Sequence, residues 1–228
     1  MLRVVAKKRF SGFDLEVDLT FDRGVTVLFG PSGSGKTTVL NLIAGIVHPD
    51  EGEIRLGDRW FFRSGMPPVP PERRGVGYVF QDYALFPHMT VAKNIAYGLP
   101  KGRSLADPAV LRLIEVAGIG RLLHRYPADL SGGEKQRVAF VRALAADPAV
   151  LLLDEPFSAL DEEVKRAVRE AFVSLVADRS LPVILVTHDR SEAERLADRI
   201  VFIRRGRVEG KAEGAPAAVG ASEGRGGA

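Results

Sequence analysis

The sequence predicts an α/β fold: a mostly parallel sheet covered on both faces, an N-terminal antiparallel β subdomain, and a helical subdomain inserted at about residues 82–128. Three observations predict it. Strand and helix patterns alternate from residue 129 onward, as parallel sheets require. Short, wholly apolar runs at 25–29 and 150–153 read as strands buried on both faces. The first of these runs feeds directly into a glycine-rich loop and then a helix.

Phe13, Leu15, Val17, Leu19 and Phe21 alternate with polar residues, a period-two strand. It pairs with a strand at 2–5 as the antiparallel layer, to which 54–62 returns. The run VLNLIAGI forms a helix ending near Gly45, and PPVPPERRG (67–75) forms a stiff connector. A further buried strand spans 77–81. In the inserted segment Val91, Ile95 and Leu99 recur at helical spacing, as do Val110, Leu113, Ile114 and Ala117, with Gly118 as a stop. A helix then runs to Ala146. A second helix carries Val164, Val168, Ala171, Phe172 and Leu175, and strands at 183–186 and 200–203 flank a short helix through Leu196. The closing segment, GKAEGAPAAVGASEGRGGA, reads as a disordered tail over 211–228.

Composition excludes several classes. With no cysteine there is no disulfide framework and no thiolate metal site. The 32 basic residues are nearly matched by 29 acidic ones, spread along the chain, so nucleic acid is not an expected partner. The first residues, MLRVVAKKRF, lack the apolar core of a signal peptide. No apolar run approaches the length of roughly 20 residues that a membrane-spanning helix needs. The chain reads as soluble, so a membrane role has to come through a partner.

GPSGSGKT (30–37) fits the phosphate-binding loop of a P-loop NTPase, with Gly30, Gly35, Lys36 and Thr37 in place and Pro31, Ser32, Gly33 and Ser34 between. Its backbone N–H groups close on phosphates, Lys36 supplies positive charge, and the Thr37 hydroxyl suits Mg²⁺; Thr38 follows in the first helical turn. AVLLLDEP (149–156) is an apolar strand ending in two carboxylates. Asp154 there reaches the Mg²⁺ shell, and Glu155 faces the attacking water as general base. His188, in VILVTHD, and Gln81 each close a strand at the sheet edge where ligands collect. Asp161, in SALD, is by itself a helix-starting carboxylate. DLSGGEKQRV (129–138) is a second anion-binding pattern, since two glycines after a hydroxyl leave N–H groups bare at a helix start.

In this order, GPSGSGKTT, Gln81, LSGGEKQR, LLLDEP with SALD, and His188 resemble the ATPase subunit of an ABC transporter. The resemblance covers about residues 1–210, an ABC ATPase domain, and LSGGEKQR is its most specific part. It implies ATP and Mg²⁺ as cofactors, with Thr37, Gln81 and Asp154 around the metal and Glu155 and His188 as catalytic residues. It also implies that two copies pack head to tail, so that Ser131, Gly132, Gly133 and Glu134 of one subunit, with its Asp161, complete the site on the other's phosphate loop. Phe13 falls where the family places an aromatic under the adenine, and its strand pattern equally reads as core. The expected partners are membrane permease subunits, received by the helical subdomain at the cytoplasmic face of the membrane, and indirectly a solute-binding protein.

ERRGVGYVFQDYALFPHMTVAKNIAYGL (72–99) is most similar to ATPases of oxyanion importers, molybdate and tungstate first and sulfate next. Many such ATPases continue into a C-terminal regulatory domain where this chain has its Gly/Ala-rich tail, so feedback through that domain is not expected. DNA-associated ABC ATPases carry long coiled coils, absent from the roughly fifty residues between Gln81 and Ser131.

Overall fold

The computed structural model describes residues 1–158, 160–177 and 179–213. β1 (Leu2–Phe10) and β2 (Phe13–Phe21) form an antiparallel hairpin in which Leu2 pairs with Phe21 and Phe10 with Phe13. β1 extends past the expected 2–5 strand. Its second half, AKKRF, is polar and without alternation, but every residue finds a partner on β2. β3 (Gly24–Phe29) leads to α1 (Lys36–Ala44), which stops at Gly45 in the left-handed region (φ 86°), the usual conformation just past a helix end. The expected return at 54–62 is two strands, β4 (Glu51–Leu56) and β5 (Arg59–Arg63), because the chain turns at Gly57 (φ 56°).

β6 (Val76–Val79) is shorter than the strand expected at 77–81 and leaves Gln81 beyond its end, where the Tyr83 N–H closes a turn on the Phe80 carbonyl. α2 (Val91–Tyr97) starts on Thr90, whose hydroxyl accepts from the Lys93 N–H. The helix ends before Leu99, which packs on the core from outside it. α3 (Pro108–Val116) carries the Asp107 cap and stops at Gly118 (φ 64°). α4 (Gly132–Ala145), β7 (Val150–Asp154), α5 (Glu162–Val176), β8 (Pro182–Thr187), α6 (Arg190–Leu196) and β9 (Arg199–Arg204) then alternate as expected.

β10 (Arg207–Glu213) is the element the sequence hid. It turns back on β9 through Arg205 (φ 46°) and Gly206 (φ 76°). Two successive left-handed residues are what a tight hairpin turn requires. Residues 211–213, expected in a tail, are therefore sheet; the remainder of that tail, 214–228, lies outside the described residues.

The ten strands form one sheet in the order β5-β4-β1-β2-β10-β9-β3-β8-β7-β6. β9, β3, β8, β7 and β6 are parallel neighbours, while β5, β4, β1 and β2 are antiparallel. In the parallel half, alternate residues enter two cores. Val27, Leu153 and Leu185 pack under the helices α2 to α6, and Leu28, Leu152 and Ile184 pack against α1 and the antiparallel layer. This two-sided burial is why those strands read as continuous apolar runs.

The connector at 67–75 contains a buried arginine. Arg74 is 0% exposed and donates to the carbonyls of Leu42, Ile43 and Val69 at 2.8–2.9 Å. It thereby satisfies carbonyls that the last turn of α1 leaves without a helical partner. Burial lowers its pKa to about 10. A Cβ on Gly45 would lie 2.6 Å from the Arg74 guanidinium, so the helix stop and the arginine need each other.

Candidate active site

The site is assembled at the C-terminal ends of β3, β7 and β8. Gly30 leaves β3 so close to the neighbouring strand that a Cβ there would lie 2.0 Å from the Ile203 carbonyl oxygen. Gly35, at φ 103°, is the N-cap of α1 and provides no side-chain cap. The first-turn N–H groups are thus left for an anion. Lys36 opens that helix and is 4% exposed. Its ammonium donates to the Gly30 and Pro31 carbonyls at 2.8 and 2.9 Å, folding the side chain over its own loop. Burial lowers its pKa, against the pull of Glu155 and Asp154.

The Thr37 hydroxyl donates to Asp154 Oδ1 at 3.0 Å, joining the start of α1 to the end of β7. Burial pushes the Asp154 carboxyl up, opposed first by that hydrogen bond. Glu155 follows in the left-handed region (φ 44°), its N–H donating to the Val186 carbonyl of β8 at 3.0 Å. This backbone turns its side chain out of the sheet, where Oε1 lies 3.1 Å from Nδ1 of His188. His188 is half-exposed (56% of its side chain) at the end of β8.

A cleft of about 370 Å³ is lined by Lys36, Thr37, Thr38, Gln81, Glu155 and Phe13, together with Ser32, Gly33 and Gly35. Phe13 packs on the second core and also lines the cleft, where its Cζ lies 2.8 Å from the position of a Gly35 Cβ. Pro31 and Ser34 face an adjoining groove of about 530 Å³, and the Ser34 hydroxyl is buried without a partner among the described residues.

Ser131, Gly132, Gly133 and Glu134 do not line this cleft. They start α4 on another part of the chain, under a capping box. The Ser131 hydroxyl accepts from the Glu134 N–H at 3.3 Å, and Glu134 accepts from the Ser131 N–H at 3.0 Å. The latter bond holds the Glu134 carboxyl below its usual range. The N–H groups of Gly132 and Gly133 have no acceptor within the helix. The two glycines differ. Gly133 is buried and a Cβ would meet Val164 at 2.4 Å, whereas Gly132 is exposed with Leu160 at 3.3 Å. Asp161 caps α5 by accepting from the Val164 N–H at 3.0 Å.

Sequence reasoning missed three supporting residues. Arg142 on α4 binds the turn after Gln81. Lys165 on α5 and Glu192 on α6 meet behind His188. Arg142 signals itself as a charge among Val138, Ala139, Ala145 and Ala146, whereas Lys165 and Glu192 have charged helix neighbours and carry no such signal. Among the described residues no helix is long and apolar enough to cross a membrane.

The sequence profile of the ABC transporter family matches residues 15–158. The chain is 49% identical over 208 residues to the molybdate/tungstate import ATP-binding protein WtpC of Archaeoglobus fulgidus, covering 91% of this chain and 85% of that protein. It is 46% identical over 211 residues to the molybdenum import ATP-binding protein ModC of Pasteurella multocida, where it spans 91% of itself and 59% of the relative. The sulfate/thiosulfate import ATP-binding protein CysA of Mycobacterium bovis is 46% identical over 212 residues, 90% of this chain and 58% of that one. Among solved structures, a dimeric ATP-binding cassette in a post-hydrolysis state, bound to ADP and Pi, superposes with a TM-score of 0.77 at 29% identity, covering 93% of this chain and 98% of the other. The phosphate-loop cleft, the paired carboxylates and the remote LSGGEKQR helix thus sit in a sequence and a backbone of one kind, and the chain belongs to the ABC transporter family as one of its ATP-hydrolysing cassettes.

Proposed function

We propose that this chain is the ATP-hydrolysing subunit of an importer that takes up an oxyanion, molybdate or tungstate, and that two copies act head to tail. The observation that carries the assembly is the separation of the two anion-binding motifs. Lys36, Thr37, Glu155 and Gln81 line one cleft, while Ser131, Gly132 and Gly133 open a helix outside it. One chain therefore holds half of each of two sites. A second copy supplies the missing half, with its Ser131–Glu134 turn against the γ-phosphate and its Asp161 crossing between subunits. The dimeric cassette among the structural relatives supports this reading.

ATP lies with its phosphates on the loop and Lys36, and with its base toward Phe13. Glu155 takes the proton from the attacking water, a role worth about 10²–10⁴-fold. His188, 3.1 Å from Glu155, holds the γ-phosphate side of the cleft. The Thr37 hydroxyl and Asp154 carboxylate lie 3.0 Å apart. They are hard oxygen donors of the kind Mg²⁺ takes, and with Gln81 they fit that ion with phosphate and water completing its shell. Mg²⁺ supplies charge neutralisation at the phosphates when bound. Membrane permease subunits and a solute-binding protein complete the importer, which places this chain at the cytoplasmic face of the membrane.

The substrate rests on the names of the relatives, since the cleft described here holds ATP and not the cargo. Sulfate is the second reading, favoured by the 46% identity to a sulfate/thiosulfate import protein. The test is cellular molybdenum and tungsten by elemental mass spectrometry in cells lacking the gene, rescued with wild type or with Glu155→Gln. Loss of either metal, restored by wild type alone, is the expected result. Unchanged metal with lowered sulfate uptake would move the assignment to the second reading.

A further inference from the structure

Behind His188 lies a buried charge cluster that the reaction as described leaves unused. Glu192, on the first turn of α6, is 3% exposed. One carboxylate oxygen accepts from the Thr187 hydroxyl at 2.8 Å, and the other lies 3.7 Å from the Lys165 ammonium. The Thr187 hydroxyl in turn accepts from the Asp189 N–H at 3.0 Å, so the peptide that follows His188 is pinned by the side chain that precedes it. Lys165 reaches the other way, 2.9 Å from Glu162, the first residue of α5 after Asp161. A small hollow of about 70 Å³ separates this cluster from Glu155 and Ser158, and the Ser158 hydroxyl donates to the Glu155 carbonyl at 3.0 Å.

The chain of contacts is continuous: Asp161 loop, Glu162, Lys165, Glu192, Thr187, His188, Glu155. One end is the loop proposed to serve the partner's site, and the other is the catalytic pair of the chain's own site. We propose that Glu192 is a positioning residue for ATP hydrolysis, bridging the His188 strand end to Lys165 on α5 so that the cleft in one copy is set together with the loop that copy lends to the other. The inference rests on the head-to-tail reading given above. A buried carboxylate with one hydroxyl and one ammonium partner holds its geometry tightly, because losing the ammonium leaves a charge uncompensated and losing the hydroxyl leaves an acceptor unsatisfied. Burial raises the Glu192 pKa, and the Thr187 hydrogen bond and the Lys165 charge oppose this.

The test uses the full chain with ATP and Mg²⁺. Glu192→Gln keeps an oxygen for Thr187 and loses the charge toward Lys165; Lys165→Met keeps the stem and loses the ammonium. Each is expected to lower kcat about 3–10-fold with KM within about twofold, and the double variant to fall no further than either single change. Wild-type kcat in both single variants, or independent effects that multiply in the double variant, would overturn the proposal. A purely structural role would lower the melting temperature and leave kcat per folded chain unchanged well below it, which also counts against the proposal. ATP-dependent dimerisation of Glu155→Gln is measured in parallel. If that dimer fails to form, the head-to-tail reading falls and this inference with it. If it forms while the Glu192 and Lys165 variants turn over normally, this inference alone falls.

Discussion

Arg142 on the α4 helix holds Tyr83 in place: its Nη2 donates to the Tyr83 carbonyl at 2.8 Å, and its Nη1 to that of Ala84 at 2.6 Å. Both acceptors sit in left-handed backbone, at φ 64° and 44°. That conformation costs non-glycine residues free energy unless their surroundings hold it. The helix that begins with Ser131 thus grips the turn just past Gln81, and one planar guanidinium makes both bonds.

Arg142→Ala is expected to destabilise the chain by about 1–3 kcal/mol, since it leaves two carbonyls of a strained turn without their donor. Arg142→Lys recovers only part of this, because an ammonium cannot reproduce the fork. Urea unfolding of the three proteins checks it; equal midpoints would mean that the clamp is not needed.

Glu155→Gln should lower ATP turnover by about 10²–10⁴-fold and trap a dimer in the presence of ATP. Analytical ultracentrifugation with and without nucleotide reads the second effect. A sedimentation coefficient that does not change with ATP would contradict the shared-site arrangement.

The two signature glycines separate packing from chemistry. A Cβ on Gly133 has only 2.4 Å to Val164, whereas one on Gly132 has 3.3 Å to Leu160 at an exposed helix start. Gly133→Ala therefore overpacks the site and should destabilise the chain by about 1–3 kcal/mol. Gly132→Ala should leave the unfolding midpoint unchanged and cut ATP turnover by about 10-fold or more. A fold-stable Gly132→Ala with full turnover would remove this position from the partner's site.

Asp154 sets a pH dependence. Burial raises its carboxyl pKa in the folded state above the unfolded value. The stability it contributes is therefore present at low pH and is lost as pH rises through the folded pKa. Asp154→Asn keeps an oxygen for the Thr37 hydroxyl and removes the desolvated charge. The variant should melt above wild type at mildly alkaline pH, by about 2–4 °C for each kcal/mol relieved. The difference should close as pH falls toward the ordinary carboxylate value of 3.8. The variant should also lose ATP turnover, a gain of stability at the cost of activity. Calorimetric scans from acid to mildly alkaline pH test the sign directly.

The parts of the site that were legible in the sequence are those where backbone chemistry demands a residue type at fixed spacing. Gly30 and Gly35 are required by a 2.0 Å approach and a φ of 103°, and such requirements leave a pattern in the chain. Glu155 and His188 were legible because each directly follows a buried strand. Three things were hidden for a common reason, that their partners lie far away in sequence. Arg74 caps a helix thirty-one residues earlier, Glu192 answers Lys165 across two helices, and β10 is a polar strand recognisable only from β9 beside it. The short reach of α2 before Leu99 and of the 77–81 strand shows the opposite limit. Apolar spacing says which residues are buried, and turns such as that at Tyr83 decide where the element stops.

The sheet is continuous, yet its ladder is thinnest between β2 and β10. Along its hydrogen-bonded edge the antiparallel wing meets the parallel one through a single rung, Arg207 opposite Glu16, supported by the Gly206 turn stitched to Glu16 and to Ser34 at 2.8 and 2.9 Å. Phe13 opens β2 of the antiparallel wing, Lys36 opens α1 just beyond the parallel strand β3, and both line the same cleft. A nucleotide seated between them would bridge the two wings where the ladder joining them is thinnest.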